Sequence, residues 1–268
     1  MSVQILPPDF DDLATAAVKS FWASRSSATS DAQGGTRGAV LAGKNMDGFV
    51  TLVRRVATHC GLPDDAVHTR RAQVVLPGYF RATKNWDVLV VHKRRLLAVF
   101  EFKSQVGSFG NNFNNRSEEV IGAAADLWVA HHHGAYTDAG PDDGAGPLFV
   151  AEPSPPLLNP DLQRDPHPPF LGWLMLLEES ARSMQPVRVD EPHYRVFPEF
   201  RGASYASRYQ TLCERLVERQ LYGAAALVLS PARAGAESGA HRALTEPTSL
   251  RRMFAEFAGR TAASLDRA

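Results

Sequence analysis

The stretch Asn85-Trp86-Asp87-Val88-Leu89-Val90-Val91, then Lys93-Arg94-Arg95, then Leu96-Leu97-Ala98-Val99-Phe100-Glu101-Phe102-Lys103, constrains the fold more than any other part of the chain. Two apolar runs rich in β-branched residues meet at a short basic turn, the pattern of a buried hairpin. Each run places charged groups where a core needs none. Asp87 opens the first run, and Glu101 and Lys103 project from one face of the second because strand side chains alternate with period two. Two carboxylates and one ammonium then converge, a set suited to a divalent cation and an attacking water. Charges at strand ends also serve as solvated edges or as lysines that block edge pairing. The position of Glu101 between Phe100 and Phe102 favours the chemical reading, since a buried carboxylate is costly unless paired or metal-bound.

Length and charge narrow the class. A chain of 268 residues can bury a sizeable core, and we expect one domain over residues 1–268, with an N-terminal helical region and C-terminal helices. No apolar run is long enough to span a bilayer, and Met1 to Asp9 lacks the basic start and apolar centre of a secretory signal, which predicts a cytoplasmic protein without a membrane partner. The isolated Cys60 and Cys213 read as buried thiols. The net charge is zero, yet Lys19 to Arg116 holds fifteen Lys and Arg against six Asp and Glu. That local excess of nine is compatible with a phosphate-binding face and equally with ordinary surface charge.

Apolar spacing predicts a first helix through Phe10, Leu13, Ala14, Ala17, Val18, Phe21 and Trp22, and a second from Met46 or Asp47 to Cys60, stopped by Gly61. Ser24 to Gly38, rich in Ser and Gly, reads as a mobile segment. Strands are expected at Ala72–Leu76, Trp86–His92, Leu96–Phe102, Leu171–Leu177 and Ala224–Leu229. Further helices are expected from a Ser117-Glu118-Glu119 cap to about His131, from Ser204 to Leu221, and from Ser249 to Ala263. Thr137–Pro147 and Pro153–Pro169 read as long loops decorating an α/β domain.

Taken together, Trp86-Asp87, Glu101-Phe102-Lys103-Ser104-Gln105-Val106-Gly107 and Phe109 to Glu119 resemble the XhoI family of type II restriction endonucleases. The resembling block runs from Gly78-Tyr79-Phe80 to Asp126-Leu127-Trp128. The resemblance implies a PD-(D/E)XK nuclease core, a restriction-endonuclease-like mixed β-sheet flanked by helices. It also implies a homodimer that cuts the palindrome CTCGAG in double-stranded DNA with Mg²⁺, leaving 5′-phosphates and a 5′ overhang, and a host methyltransferase that need not touch it. Position by position, Asp87 matches the motif's first acid, Glu101 its second and Lys103 its lysine. Trp86 stands where the motif has proline, a position without chemistry. Asp87, Glu101 and the backbone carbonyl of Phe102 are the expected metal ligands. A third acid often assists from the first core helix; Asp47 is the nearest candidate, although an Asp at a helix start also serves as a cap.

The segment Ser104–Arg116 follows the catalytic strand and reads as a loop. Its Gln105, Asn111, Asn112, Asn114, Asn115 and Arg116 are candidate DNA contacts, because amides pair with adenine and arginine with guanine; Asn and Gly are also what turns require. His131-His132-His133 does not have the spacing of a zinc site, since neighbours on a helix point in different directions. His193–Phe197 with Arg201, Tyr205 and Arg208 reads as a core strand and helix, or as a second DNA-facing region. Two other functions fit the same residues: a sequence-specific DNA-binding protein with a lapsed centre, and a structure-selective repair nuclease.

Overall fold

The sheet is built around the hairpin. The computed structural model describes residues 4–30, 45–136 and 168–265. Its strands are β1 (Val67–His68), β2 (Val75–Pro77), β3 (Thr83–Asn85), β4 (Val88–His92), β5 (Arg95–Gln105), β6 (Phe170–Glu178) and β7 (Ala224–Ser230). The main sheet has the order β1-β4-β5-β6-β7, and β2 pairs with β3 alone. β4 and β5 are antiparallel, with Val88 opposite Phe100 and His92 opposite Arg95. Lys93 and Arg94 make the two-residue turn at φ of 49° and 63°, the left-handed pair that such hairpins need to match the strand twist. β6 runs parallel to β5, and β7 parallel to β6.

The helices are α1 (Phe10–Ser30), α2 (Asp47–His59), α3 (Phe109–His132), α4 (Ala181–Met184), α5 (Tyr205–Glu218), α6 (Ala232–Ser238) and α7 (Leu250–Leu265). Period two divides the strand residues between two cores. Val88, Val90, Ala98, Phe100, Leu174, Leu176, Ala226 and Val228 face α1, α2 and α7, where Phe21, Phe49, Phe254 and Phe257 are fully buried. Leu89, Val99, Leu171, Trp173, Met175, Leu177 and Leu227 face α3 and α5, against Val120, Leu127, Tyr209 and Leu216. Because β5, β6 and β7 advance in one direction with one handedness of crossover, α3 and α5 must lie on the same face. That face also carries Asp87, Glu101 and Lys103.

Several boundaries differ from expectation. The loop expected at Ser104–Arg116 is the end of β5, a turn at Gly107 and Ser108, and the first two turns of α3, which starts at Phe109 rather than Ser117. Asparagine is a weak helix former, but Phe109 and Phe113 pack on Tyr205 and Tyr209, and tertiary packing overrides propensity. Ser117 is no cap; its hydroxyl donates to the Phe113 carbonyl at 2.9 Å. Of the strand expected at Ala72–Leu76, only Val75 and Leu76 belong to a strand, β2, which lies outside the main sheet. His193–Phe197 forms no strand, and Tyr194 and Phe197 are exposed. Ser24 to Ser30 continue α1. The remainder of the Ser/Gly-rich segment, the Thr137–Pro147 loop and most of Pro153–Pro169 lie outside the described residues.

Candidate active site

Asp87 precedes β4 by one residue, and its amide donates to the Phe100 carbonyl at 3.2 Å, so the hairpin register places it beside Glu101. Cross-strand neighbours of this kind have Cβ atoms about 4.5–5.5 Å apart. Glu101 is only 3% exposed. Its Oε1 accepts from two ammonium groups, Lys103 Nζ at 3.0 Å and Lys84 Nζ at 2.9 Å. Asp87 Oδ2 accepts the Phe102 amide at 2.6 Å, which fixes the carboxylate at the head of the hairpin. The three residues of the expected motif therefore share one end of β4 and β5.

Lys84 is the residue that sequence reasoning missed. It lies on β3, and its ammonium stands 4.2 Å from the Trp86 ring centroid, a cation–π contact that helps a partly desolvated charge. Trp86, in the place of the motif proline, is buried and is tied by its amide to the Val74 carbonyl at 2.8 Å. The available signal was local: a lysine two residues before a tryptophan on an extended chain shares its face, and the first acid follows directly.

The two carboxyls are tuned in opposite directions. Asp87 reaches solvent at the mouth of the site, yet protein crowds it, and the lost hydration raises its pKa against the opposing pull of the Phe102 amide and Lys103; Glu101 adds to the rise. At Glu101 burial also pushes upward, but Lys103 and Lys84 together outweigh it and hold the carboxyl below its ordinary range. Nearby charge and desolvation are thus set against each other across two neighbouring strands.

The donor set fits a hard divalent cation. Glu101 Oε2 is buried and without a partner among the described residues, a costly state that a cation would relieve. Among the described residues, no three His, Cys, Asp or Glu side chains gather as a metal cluster. A cation here would rest on Asp87, Glu101, the Phe102 carbonyl and water, as oxygen-rich Mg²⁺ sites commonly do. Asp47, the expected candidate for a third acid, is exposed on the first turn of α2. His131 and His132 end α3 and His133 caps it.

The DNA-contact candidates divide. Gln105 is buried, its carbonyl accepting from the Tyr209 hydroxyl and its amide donating to the Ser108 carbonyl at 3.2 Å. It braces the turn between β5 and α3 and is buried rather than presented to DNA, which corrects the expectation that it is a DNA contact. Asn114 and Asn115 are exposed on the first turns of α3, and Asn112 is half-buried there. Arg116 pairs with Glu119 at 2.6 Å, and the side chain of Asn111 lies outside the described set. These groups now stand on a helix whose N-terminus follows the lysine strand by a short turn. That terminus carries partial positive charge.

A second anchoring point was also unforeseen. Asp126 of α3 is buried, and accepts the Tyr79 amide at 2.8 Å, the Phe80 amide at 2.7 Å and Arg81 Nε at 2.7 Å. It grips the tip of the β2–β3 hairpin. Phe80 is left exposed beside Arg81, and a Cβ added at Gly78 would collide with the Asp126 carboxylate and the Arg81 carbonyl. The hairpin that delivers Lys84 is therefore held at its far end.

A mixed sheet flanked by helices, with paired acids and a lysine at the head of its central hairpin, defines the restriction-endonuclease-like class. The family model described as "Restriction endonuclease XhoI" matches residues 25–168 and 158–242. The chain is 43% identical over 215 residues to the "Type II restriction enzyme XhoI" of Xanthomonas vasicola, covering 78% of this chain and 76% of that protein. It is 41% identical over 207 residues to the "Type II restriction enzyme BstVI" of Geobacillus stearothermophilus, covering 75% and 80%. With the "Type II restriction enzyme AbrI" of Azospirillum brasilense the identity is 46% over 153 residues, 57% of each chain. No solved structure matches. The chain belongs to the XhoI family of restriction endonucleases, a family of type II restriction enzymes.

Proposed function

We propose that this enzyme hydrolyses double-stranded DNA at the palindrome CTCGAG with Mg²⁺, leaving 5′-phosphates and a 5′ overhang. The observation that carries the chemistry is the partnerless, buried Glu101 Oε2 beside Asp87, with Lys103 on the other oxygen. Asp87, Glu101 and the Phe102 carbonyl would hold the cation, which when bound would lower the pKa of water and neutralise phosphate charge. Lys103 orients the attacking water and offsets the negative charge that grows on the phosphorus centre. Attack in line with the 3′-oxygen breaks the P–O3′ bond, and the phosphate stays on the 5′ end.

The sequence CTCGAG follows from the resemblance of the Gly78–Trp128 block to the family. A palindrome cut in both strands calls for two centres related by a two-fold axis, hence a homodimer. Asn111, Asn112, Asn114, Asn115 and Arg116 on the first turns of α3 are the proposed DNA contacts, with amides suited to base edges and arginine to guanine or phosphate. The same reading places the protein in the cytoplasm with a methyltransferase in the host. Among the described residues no helix is long and apolar enough to cross a membrane.

A plasmid carrying one CTCGAG site tests the proposal directly. With Mg²⁺ the expected product is one linear species whose ends religate, while a plasmid with the site altered stays circular. No cutting at all indicates a DNA-binding protein with a lapsed centre. Cutting confined to junctions or flaps indicates a repair nuclease.

A further inference from the structure

Lys84 comes from outside the motif. It reaches Glu101 from the small β2–β3 sheet, and Asp126 anchors the other end of that hairpin. Its side chain is 14% exposed, less than the 26% of Lys103, and both ammoniums share the single oxygen Oε1 of Glu101. One carboxylate oxygen has no structural need of two cations; a surface pair of this kind contributes little, and a buried one is costly to assemble. A stabilising role alone would also leave no reason for the partnerless Oε2.

Charge supplies the reason. Asp87 and Glu101 are balanced by Lys84 and Lys103 in the free protein. A divalent cation at the acids leaves the centre with an excess of two positive charges, which the scissile phosphate and its neighbours can offset. We propose that Lys84 couples cation binding to DNA binding: it holds Glu101 in place in the free enzyme, opposes the cation there, and turns to the DNA phosphate once DNA is present. This rests on Asp87 and Glu101 being the cation ligands.

The test is calorimetric titration of Ca²⁺, used as a probe of the site, into the full-length protein with and without a CTCGAG duplex. Lys84→Met keeps the aliphatic stem over Trp86 and removes the charge. One unit charge acting on a divalent ion at ~6 Å through a water-like dielectric changes affinity about tenfold. We therefore expect Lys84→Met to bind Ca²⁺ about tenfold more tightly than wild type without DNA, and to gain less affinity when DNA is added. Lys84→Arg, which keeps the charge, should restore the wild-type coupling. Unchanged affinities in both titrations would overturn the proposal. So would an equal weakening in both, which would make Lys84 only a brace for Glu101. Should the Met variant fail to fold, Lys84→Gln reads the same two affinities. A Glu101→Gln arm separates the premises: if that variant binds Ca²⁺ as wild type does, the ligand assignment fails, whatever Lys84 does.

Discussion

Replacing Asp126 with alanine should loosen the β2–β3 hairpin and lower both stability and cleavage. The carboxylate accepts two backbone amides, at 2.8 and 2.7 Å, and Arg81 Nε at 2.7 Å. Hydrogen bonds to a charged acceptor contribute about 1.5–3 kcal/mol each. The two amides lie on a turn that water can reach once released, so the lower half of that range applies to them. Arg81 is half-exposed, which limits its ion pair to at most about 1 kcal/mol. The sum is a loss of about 3–5 kcal/mol, measurable as a lower urea midpoint at unchanged m-value. Asp126→Asn keeps one acceptor and should lose about half as much. Cleavage under conditions where the alanine variant remains folded should fall as well, because Lys84 and Trp86 follow the released tip. A stability loss below about 1 kcal/mol, with cleavage unchanged, would refute the view that Asp126 anchors this hairpin.

Alanine at Asn112, Asn114 or Asn115 should cost on the order of 1–3 kcal/mol at CTCGAG and little on unrelated DNA if that residue reads a base edge. Arg116→Ala should reduce the magnitude of the salt slope by roughly one unit if it contacts phosphate; unchanged affinity, slope and rate in all these variants, and in Asn111→Ala, would make the start of α3 purely structural. Carboxyl NMR of the metal-free protein should place Asp87 above its ordinary 3.8 and Glu101 below its ordinary 4.5. The contribution of Asp87 to stability is then present below the unfolded pKa and lost as pH rises through its raised value. That of Glu101 is present above the unfolded pKa and lost as pH falls through its lowered value. Lys103→Met should move Glu101 upward, and no movement would contradict the cause assigned to its shift.

The central hairpin was legible because two period-two runs with a basic turn admit few other folds; alternation puts Glu101 and Lys103 on one face, and the resemblance to the family singled them out together with Asp87. β6 and β7 were legible as continuous apolar runs, the signature of parallel strands covered on both faces. The start of α3 was not. Its Asn-rich turns read as a loop, and only the packing of Phe109 and Phe113 on α5 makes them helical. Gln105 misled for a related reason: amides near a DNA site suggest readout, while its burial against Tyr209 depends on a residue more than a hundred positions away. Lys84 and Asp126 were missed because their partners are distant in sequence, at Glu101 and at the Tyr79–Arg81 turn. Local patterns specify elements; the contacts between elements assemble the site.

The central claim is that Asp87, Glu101 and Lys103 perform metal-dependent hydrolysis while other groups bind the DNA. Single-turnover cleavage of a CTCGAG duplex in Mg²⁺ by Glu101→Gln and Lys103→Met, with binding followed by fluorescence anisotropy in the absence of divalent cations, tests it most directly. Strand scission should fall by roughly 10²–10⁴-fold or more, the range for loss of a group acting in the chemical step, while affinity for the duplex is largely retained. Cleavage at the wild-type rate by either variant would contradict the claim.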